Sequence, residues 1–277
     1  MNNSQNHVIS LRRSKIRGGI RLLLLFLVAL LWIPISVVPI AIASLFGQRA
    51  RFLVVTALTG PFCSSMASIV GLRTKIYGKP DRETLVFVAN HVSWLDILTA
   101  GVAVSSVFVS RHDVKEWPGI GLFARLAGTV FIDRSSLRSA VESSQNIVER
   151  TGQGIRVVFF PEGKATDGED VDPFKAFLFG GITERQVVVQ PFTILYTEIG
   201  GQPVTPENRD LVYWHRSDQN FLSHAWEILQ ASSVRAEIHF REREAPPAEI
   251  GREGLRNYVA KLREKTAEGV PVWKRRS

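Results

Sequence analysis

The feature that most constrains this chain is a long apolar run near its N-terminal end. Residues 22–46 contain no charged side chain, which exceeds the roughly 20 apolar residues that an α-helix needs to cross a bilayer. Basic residues precede the run at positions 12, 13, 15, 17 and 21. A secretory signal peptide is the alternative, but the run is too long for its apolar core. The run predicts a membrane-anchoring helix with a cytoplasmic N-terminus.

A second uncharged run, residues 52–72, follows the first. Arg49 and Arg51 lie between the two runs, where lipid headgroups would accommodate them. Pro34 and Pro39 interrupt the first run and are expected to bend it. Three arrangements are open: a helical hairpin embedded from one side of the membrane, which we favour, a two-pass hairpin, or a second run that is a buried helix of the following domain.

Beyond the two apolar runs, strand patterns alternate with helix patterns. Such alternation predicts an α/β layer structure, with a mixed sheet and flanking helices. No repeat or low-complexity segment divides this part, so residues 73–277 are predicted as one domain behind an anchor of residues 1–72. The predicted strands are residues 73–77, 84–89, 106–109, 129–132, 155–158, 187–196 and 234–240, and the predicted helices are residues 93–104, 120–127, 138–151, 221–229 and 256–266.

Composition restricts the classes of function. The chain has 277 residues and a net charge of +8, and a basic balance suits either nucleic acid or an anionic membrane. Because no nucleic-acid-binding module with interleaved basic and aromatic residues is present, a membrane surface is favoured and no nucleic-acid partner is expected. The single cysteine, Cys63, excludes an internal disulfide. The histidines show no metal-ligand spacing, so neither a metal nor a cofactor is predicted.

The first motif that suggests chemistry is residues 90–96, Asn-His-Val-Ser-Trp-Leu-Asp, directly after an apolar run. His91 and Asp96 are five positions apart, a spacing that would turn them about 140° apart on one helix. They can meet only if His91 precedes the helix and Asp96 lies in its first turn. Ser93 is a suitable N-cap for such a helix. The motif predicts a general base backed by a carboxylate, and a solvated loop pair is the alternative.

The second motif is residues 159–163, Phe-Phe-Pro-Glu-Gly, which follows a β-rich run. It is expected at the end of a strand, where open α/β sheets bind their ligands. Pro161 and Gly163 predict a turn that presents Glu162. A common surface turn is the alternative when this motif is taken by itself.

Together, in this order, the two motifs resemble the first and third blocks of the lysophospholipid acyltransferases. The second block resembles residues 109–114, 117–119 and 128–134, and the fourth resembles residues 187–191. The resemblance runs from about residue 77 to residue 240. It implies a glycerolipid acyltransferase-like α/β fold, and transfer of a fatty acyl group from acyl-CoA or acyl carrier protein (ACP) to the free hydroxyl of a lysolipid.

The resemblance also assigns roles to single residues. His91 is expected to remove the hydroxyl proton, and Asp96 to hold the imidazole tautomer and stabilise the imidazolium. Direct attack of the hydroxyl on the thioester is expected, without a covalent acyl-enzyme. The expected substrate-binding residues are Glu162, Gly163, Arg134, Lys164 and Arg111.

The chain departs from the family pattern after Gly163. Residues 164–166 are Lys-Ala-Thr, where Thr-Arg-Ser or Thr-Thr-Ser is common, so an expected phosphate ligand is missing. The acceptor favoured from the sequence is 1-acylglycerol-3-phosphate, and lyso-ornithine lipid is the alternative. A membrane-associated thioesterase and a non-catalytic lipid-binding protein are the alternatives from other classes. Because the thioester donor is cytosolic, the catalytic domain is expected to face the cytoplasm at the inner membrane.

Overall fold

The computed structural model describes residues 13–117, 119–132, 137–215, 219–248 and 251–271, with side chains omitted for residues 137–143. The α-helices among these residues are α1 (Lys15–Ser44), α2 (Gln48–Val70), α3 (Leu95–Ala103), α4 (Ile120–Leu126), α5 (Leu137–Gly152), α6 (Gly180–Glu184), α7 (Phe221–Gln230) and α8 (Arg252–Ala267). The strands are β1 (Leu72–Tyr77), β2 (Val86–Ala89), β3 (Val107–Arg111), β4 (Val130–Ile132), β5 (Val157–Phe159), β6 (Val189–Ile199), β7 (Gln202–Pro203) and β8 (Val234–Phe240).

The strands form one mixed sheet in the order β1-β8-β6-β2-β5-β3-β4, with β7 paired to the end of β6. The five strands from β6 to β4 are parallel to one another, β8 is antiparallel to β6, and β1 is parallel to β8. The first two strands therefore do not form a hairpin across the turn that separates them in sequence. Gln190 holds that turn, because its Oε1 accepts from the Asp81 N–H at 2.7 Å.

Helices cover both faces of the sheet. In β2, Phe87 and Ala89 pack in one hydrophobic cluster with residues of α2, α3 and α7. Val86 and Val88 pack in a second cluster with residues of α5, α6 and α8. This alternation follows from the period of two in a strand, and full burial on both sides is typical of parallel sheets. The carboxyl end of β2 therefore emerges from the centre of the molecule.

The two apolar runs form a helical hairpin. The helix α1 continues through Pro34 and Pro39 and ends at neither of them. The chain reverses at residues 45–47 instead, where Gly47 has a φ of 99° that favours glycine. Two serine hydroxyls of α1 donate to carbonyls one turn earlier, Ser36 to Trp32 O and Ser44 to Ile40 O, each at 2.7 Å, and α2 lies beside α1. The two helices are 30 and 23 residues long and apolar enough to cross a membrane by length and composition.

The second helix of the hairpin is also part of the domain core. Phe52, Val55, Cys63 and Val70 of α2 are buried, and they lie along its whole length. A side chain at Gly101 of α3 would collide with Cys63 Sγ, so α2 and α3 approach closely at this point. Residues on α1, in contrast, present a long row of exposed apolar side chains.

Both ends of the hairpin contact the domain. Near the start of α1, the Arg21 guanidinium donates to three carbonyls at and after the end of α7, including Ala231 O at 2.7 Å. The carbonyls at a helix C-terminus lack intrahelical partners and attract cations. At the opposite end, the Arg150 guanidinium lies 4.0 Å from the ring centre of Phe52. The hairpin therefore lies along the domain rather than projecting from it.

Candidate active site

The site is built on the loop between β2 and α3. Asn90 fixes the start of this loop to β6, because its amide donates to Ile194 O at 2.9 Å and its Oδ1 accepts from Ile194 N–H at 2.8 Å. The helix begins at Leu95, with Trp94 at the cap position. The predicted N-cap, Ser93, lies one residue earlier, and its hydroxyl donates to Val212 O at 2.7 Å. The loop is thus held by hydrogen bonds to β6 on one side and to Val212 on the other.

His91 and Asp96 meet across this loop. Asp96 lies in the first turn of α3, and its Oδ2 is 2.7 Å from His91 Nδ1. Because an ionised carboxylate only accepts hydrogen bonds, Nδ1 carries the ring proton and Nε2 keeps its lone pair. The His91 side chain is 21% exposed, whereas that of Asp96 is fully buried. The arrangement can remove a proton from a hydroxyl group that reaches Nε2.

Asp96 is held by a set of hydrogen-bond donors. Its Oδ2 also accepts from the backbone N–H groups of Val92 at 2.7 Å and Ser93 at 2.9 Å. Its Oδ1 accepts from the Tyr196 hydroxyl at 2.7 Å. These donors offset the cost of burying a carboxylate. The two N–H groups can reach Oδ2 because Asp96 lies in the first turn of α3, where an acid reaches back to the backbone before the helix.

Glu162 fixes the His91 backbone. Its Oε1 accepts from His91 N–H at 2.6 Å and its Oε2 accepts from Asp172 N–H at 2.7 Å. Burial raises the pKa of Glu162 to about 8, although the two N–H donors act in the opposite direction. Only 1% of the residue is exposed, so this side chain shapes the site through the backbone of His91. Its predicted contact with a substrate stays a prediction.

Residues next to Glu162 in the chain complete the set of contacts that hold His91. The turn is closed by Gly163, whose φ is 85° and whose N–H donates to Phe160 O at 3.1 Å. The Phe160 ring stacks on the His91 imidazole, with centroids 4.5 Å apart. Thr166 donates its backbone N–H to His91 O at 2.8 Å. The motif at residues 159–163 and the residues that follow it therefore support the imidazole, its backbone and its orientation at once.

Of the remaining predicted binding residues, Lys164 and Arg111 lie on the surface. Lys164 is 3.6 Å from Asp172 Oδ2 and its side chain is 69% exposed. Arg111 forms a bidentate ion pair with Asp113, with N···O distances of 3.0 and 3.1 Å. Arg134 lies outside the described residues. The structure thus brings His91, Asp96 and Glu162 together, whereas the roles of the basic residues stay predictions.

Sequence analysis missed several residues of the site. Tyr196 reaches Asp96 from β6, and Thr166 reaches His91 from the loop after β5. The backbone N–H of Trp214 donates to Val92 O at 2.9 Å. His224 accepts from the Trp94 indole N–H at 3.1 Å. Burial lowers the pKa of His224 to about 4, so it is neutral at pH 7. Tyr196 lies on β6, His224 on α7, and Thr166 and Trp214 on loops, so the packing of distant segments brings them to the site.

Among the described residues, no group of three His, Cys, Asp or Glu side chains is placed to bind a metal ion. Two surface cavities, of about 390 and 310 Å³, are lined by residues of other regions. The larger lies beside Gln190 and Arg243, and the smaller beside Arg21 and Gly71. Neither cavity is lined by His91 or Asp96.

Comparison with known proteins identifies the family. The acyltransferase family model matches residues 73–195. A lyso-ornithine lipid O-acyltransferase of Rhodobacter capsulatus is 36% identical over 201 residues, which cover 70% of this chain and 68% of that protein. The chain belongs to the acyltransferase family. The resemblance recognised from the motifs, and the prediction of an acyltransferase, are confirmed.

Other acyltransferases are similar over shorter parts of this chain. A lyso-ornithine lipid O-acyltransferase of Rhizobium meliloti is 36% identical over 182 residues, which span 63% of this chain but only 62% of that relative. A 1-acyl-sn-glycerol-3-phosphate acyltransferase of Neisseria gonorrhoeae is 34% identical over 128 residues, 46% of this chain and 50% of that protein. The relatives of this acyltransferase thus include enzymes named for both acceptors that the sequence left open.

The fold is shared with a solved structure. The crystal structure of a 1-acyl-sn-glycerophosphate acyltransferase from Thermotoga maritima matches with a TM-score of 0.63 and 21% identity, over 94% of this chain and 99% of that chain. The predicted fold class, a mixed sheet with flanking helices behind a pair of apolar N-terminal helices, is confirmed for this acyltransferase.

Proposed function

We propose that the protein is a lysolipid O-acyltransferase in which His91 is the general base. The observation that carries the proposal is the 2.7 Å bond between His91 Nδ1 and Asp96 Oδ2, which leaves Nε2 unprotonated. In the reaction, Nε2 takes the proton of the acceptor hydroxyl as the oxygen attacks the carbonyl carbon of an acyl thioester. The carbon–sulfur bond then breaks, and the imidazolium returns the proton to the leaving thiolate.

Direct transfer within a ternary complex is favoured over a covalent acyl-enzyme. Cys63 is buried in α2 with its Sγ against α3. The Ser93 hydroxyl donates a hydrogen bond to Val212 O at 2.7 Å. Neither side chain is placed to attack a thioester, which supports direct attack by the lysolipid hydroxyl. Much of the rate would then come from holding two substrates in position.

The charges beside the site bear on the acceptor. Residues 164–172 contain four acidic residues and one lysine. Among the described contacts, Lys164 faces Asp172, and the Arg209 guanidinium lies 2.9 Å from Glu169 Oε1. This mixture of charges suits a headgroup that carries both an ammonium and a carboxylate, whereas a phosphate monoester is purely anionic. Lyso-ornithine lipid is therefore our first candidate acceptor, and 1-acylglycerol-3-phosphate, which the sequence favoured, is the second.

An acceptor comparison tests this proposal. Purified protein in detergent receives labelled acyl-CoA or acyl-ACP, with either lyso-ornithine lipid or 1-acylglycerol-3-phosphate. We expect kcat/KM to be higher for lyso-ornithine lipid by about tenfold or more, which corresponds to about 1.4 kcal/mol. The double change Asp167→Asn with Glu169→Gln is expected to reduce that preference, because it removes two of the negative charges beside the site that would attract an ammonium group.

Other outcomes of this experiment assign other functions. A preference for 1-acylglycerol-3-phosphate would mean phosphatidate synthesis and would overturn the headgroup argument. Thioester hydrolysis at the same rate with and without a lysolipid would indicate a thioesterase. Binding of lysolipid without turnover of any thioester would indicate a lipid-binding protein.

The hairpin is proposed to anchor the protein without crossing the membrane. Both of its ends contact the domain, through Arg21 at one end and Phe52 at the other, and α2 has one face buried in the core. The exposed apolar side chains of α1 can then enter one leaflet, with the charged residues at headgroup level. We propose residues 1–72 as this anchor and residues 73–277 as the catalytic domain, at the cytoplasmic face of the inner membrane.

Cysteine labelling in intact cells tests the topology. Phe46, at the hairpin tip, is 78% exposed, and Phe46→Cys in a Cys63→Ala background offers a single thiol there. With a membrane-impermeant maleimide, we expect labelling only after the inner membrane is opened, both for this thiol and for a cysteine added at the C-terminus. Labelling of the hairpin-tip thiol alone in intact cells would indicate a two-pass hairpin. Labelling of the C-terminal thiol would place the catalytic domain outside.

A further inference from the structure

Tyr196 contacts the second oxygen of Asp96. Its hydroxyl donates to Asp96 Oδ1 at 2.7 Å, across 100 positions in the sequence. The other oxygen, Oδ2, is occupied by His91 and by two backbone N–H groups. Within the part of the chain that the structure describes, Oδ1 accepts from no backbone N–H, so Tyr196 decides the direction in which this oxygen points.

The path of β6 aims Tyr196 at Asp96. The strand pairs with β8 residue by residue from Phe192 to Tyr196, and the register then shifts between Tyr196 and Glu198. Phe192, Ile194 and Tyr196 alternate onto the face of the sheet that packs against α3, so the regular part of the strand already directs Tyr196 toward Asp96. Only 4% of Tyr196 is exposed. The side chain is therefore held in this direction by both the strand and the surrounding core.

The hydroxyl can act only as a donor to Asp96. Burial, followed by the nearby charge of Asp96, raises the pKa of Tyr196 well above its ordinary value of 10.0. The phenol therefore keeps its proton. Its other neighbour, Thr99 Oγ1, is 3.4 Å away and donates to Leu95 O at 3.0 Å, so the contact with Asp96 is the stronger one.

We propose that Tyr196 is a positioning residue that acts on His91 through Asp96. By donating to Oδ1, it fixes the plane of the carboxylate and draws negative charge away from Oδ2. It thereby limits how strongly Asp96 stabilises the protonated imidazole. This role rests on the proposed function of His91.

The test is Tyr196→Phe in the full-length protein, which retains the ring and removes only the hydroxyl. We expect kcat to fall about tenfold, because the carboxylate can rotate, while KM for both substrates changes less than about twofold. With one donor fewer, more charge remains on Asp96 Oδ2. In the pH profile of kcat/KM, the apparent pKa of the acid limb is therefore expected to rise by about half a unit. That shift corresponds to the free energy of one modest hydrogen bond.

The control must lose a buried hydroxyl without touching Asp96. Tyr258 of α8 is 4% exposed, and its hydroxyl donates to Glu244 O at 3.1 Å. Tyr258→Phe is expected to lower the melting temperature but to leave the acid limb of the profile unchanged. Besides His91 and Tyr196, which contact Asp96 directly, the titratable groups of the described residues whose pKa is affected by the charge of Asp96 are Glu162 and Tyr213. Both are present in the wild type and in each variant, so they do not account for a difference between them.

A second readout does not depend on turnover. NMR titration of protein labelled at the histidine ring carbons, with the His91 signal assigned by its loss in His91→Ala, reports the imidazole pKa directly. A higher His91 pKa in Tyr196→Phe without acyl transfer by the wild type would uphold the positioning role and overturn the proposed function. An unchanged His91 pKa and unchanged kcat, with only a lower melting temperature, would reduce Tyr196 to a packing residue and overturn the inference.

Discussion

Replacement of His91 by alanine is expected to reduce turnover by about 10³-fold, the usual size of a lost general base. The variant should remain folded. The imidazole contacts Phe160 and Asp96, and without it Asp96 still accepts from two backbone N–H groups and from Tyr196. Measurement of kcat and KM, together with circular dichroism and sedimentation with membranes, checks both parts of this expectation.

The chain offers a matched control for this substitution. His239 lies on β8, two strands from β2, and its Nε2 is 3.0 Å from Glu237 Oε2. His239→Ala therefore also removes a histidine with a carboxylate partner, and it is expected to keep kcat within about twofold of the wild type. Wild-type turnover in His91→Ala would contradict the proposed mechanism.

Replacement of Asp96 by asparagine is expected to reduce kcat by about 10²- to 10⁴-fold with little change in KM. The amide can fit without a clash: its oxygen takes the Oδ2 position and accepts from His91, Val92 and Ser93. Its NH₂ group then faces Tyr196, whose oxygen can accept while its proton turns toward Thr99 Oγ1, 3.4 Å away. The substitution thus removes the charge that stabilises the imidazolium and retains the shape.

Steady-state kinetics at several acceptor concentrations separates the two possible roles of Asp96. A higher KM with an unchanged kcat would contradict an action through His91 and would indicate acceptor binding instead. Glu237→Gln is the matched control, because it neutralises the carboxylate beside His239. The same substitution type then tests two histidine–carboxylate pairs, of which only one is expected to affect the rate.

Several elements could be predicted from local sequence. The strand β8 was predicted at residues 234–240, which are its observed bounds, and α4 was predicted within one residue. Both segments combine a clear period with flanking turn residues. Local reasoning also placed His91 before the helix and Asp96 in its first turn.

The contacts that organise the site lie outside the reach of local patterns. Tyr196 looks like an ordinary strand residue, and its contact with Asp96 exists only because β6 pairs with β2. Likewise, Glu162 looks like a turn residue that faces a substrate, yet its oxygens accept from the backbone N–H groups of His91 and Asp172. Sheet order and loop folding decide such contacts, and neither has a local sequence signal.

By itself, the sequence determined the two apolar runs, the α/β class, the acyltransferase motifs and the candidate pair His91 and Asp96. These follow from periodicity, from charge and from short motifs, which act over a few neighbouring residues. Only the tertiary structure decided that α2 belongs to the core, that both hairpin ends lie against the domain, and that Asp96 is held by Tyr196. Those features depend on which distant segments pack together, because burial and hydrogen bonding join residues regardless of their separation in the chain.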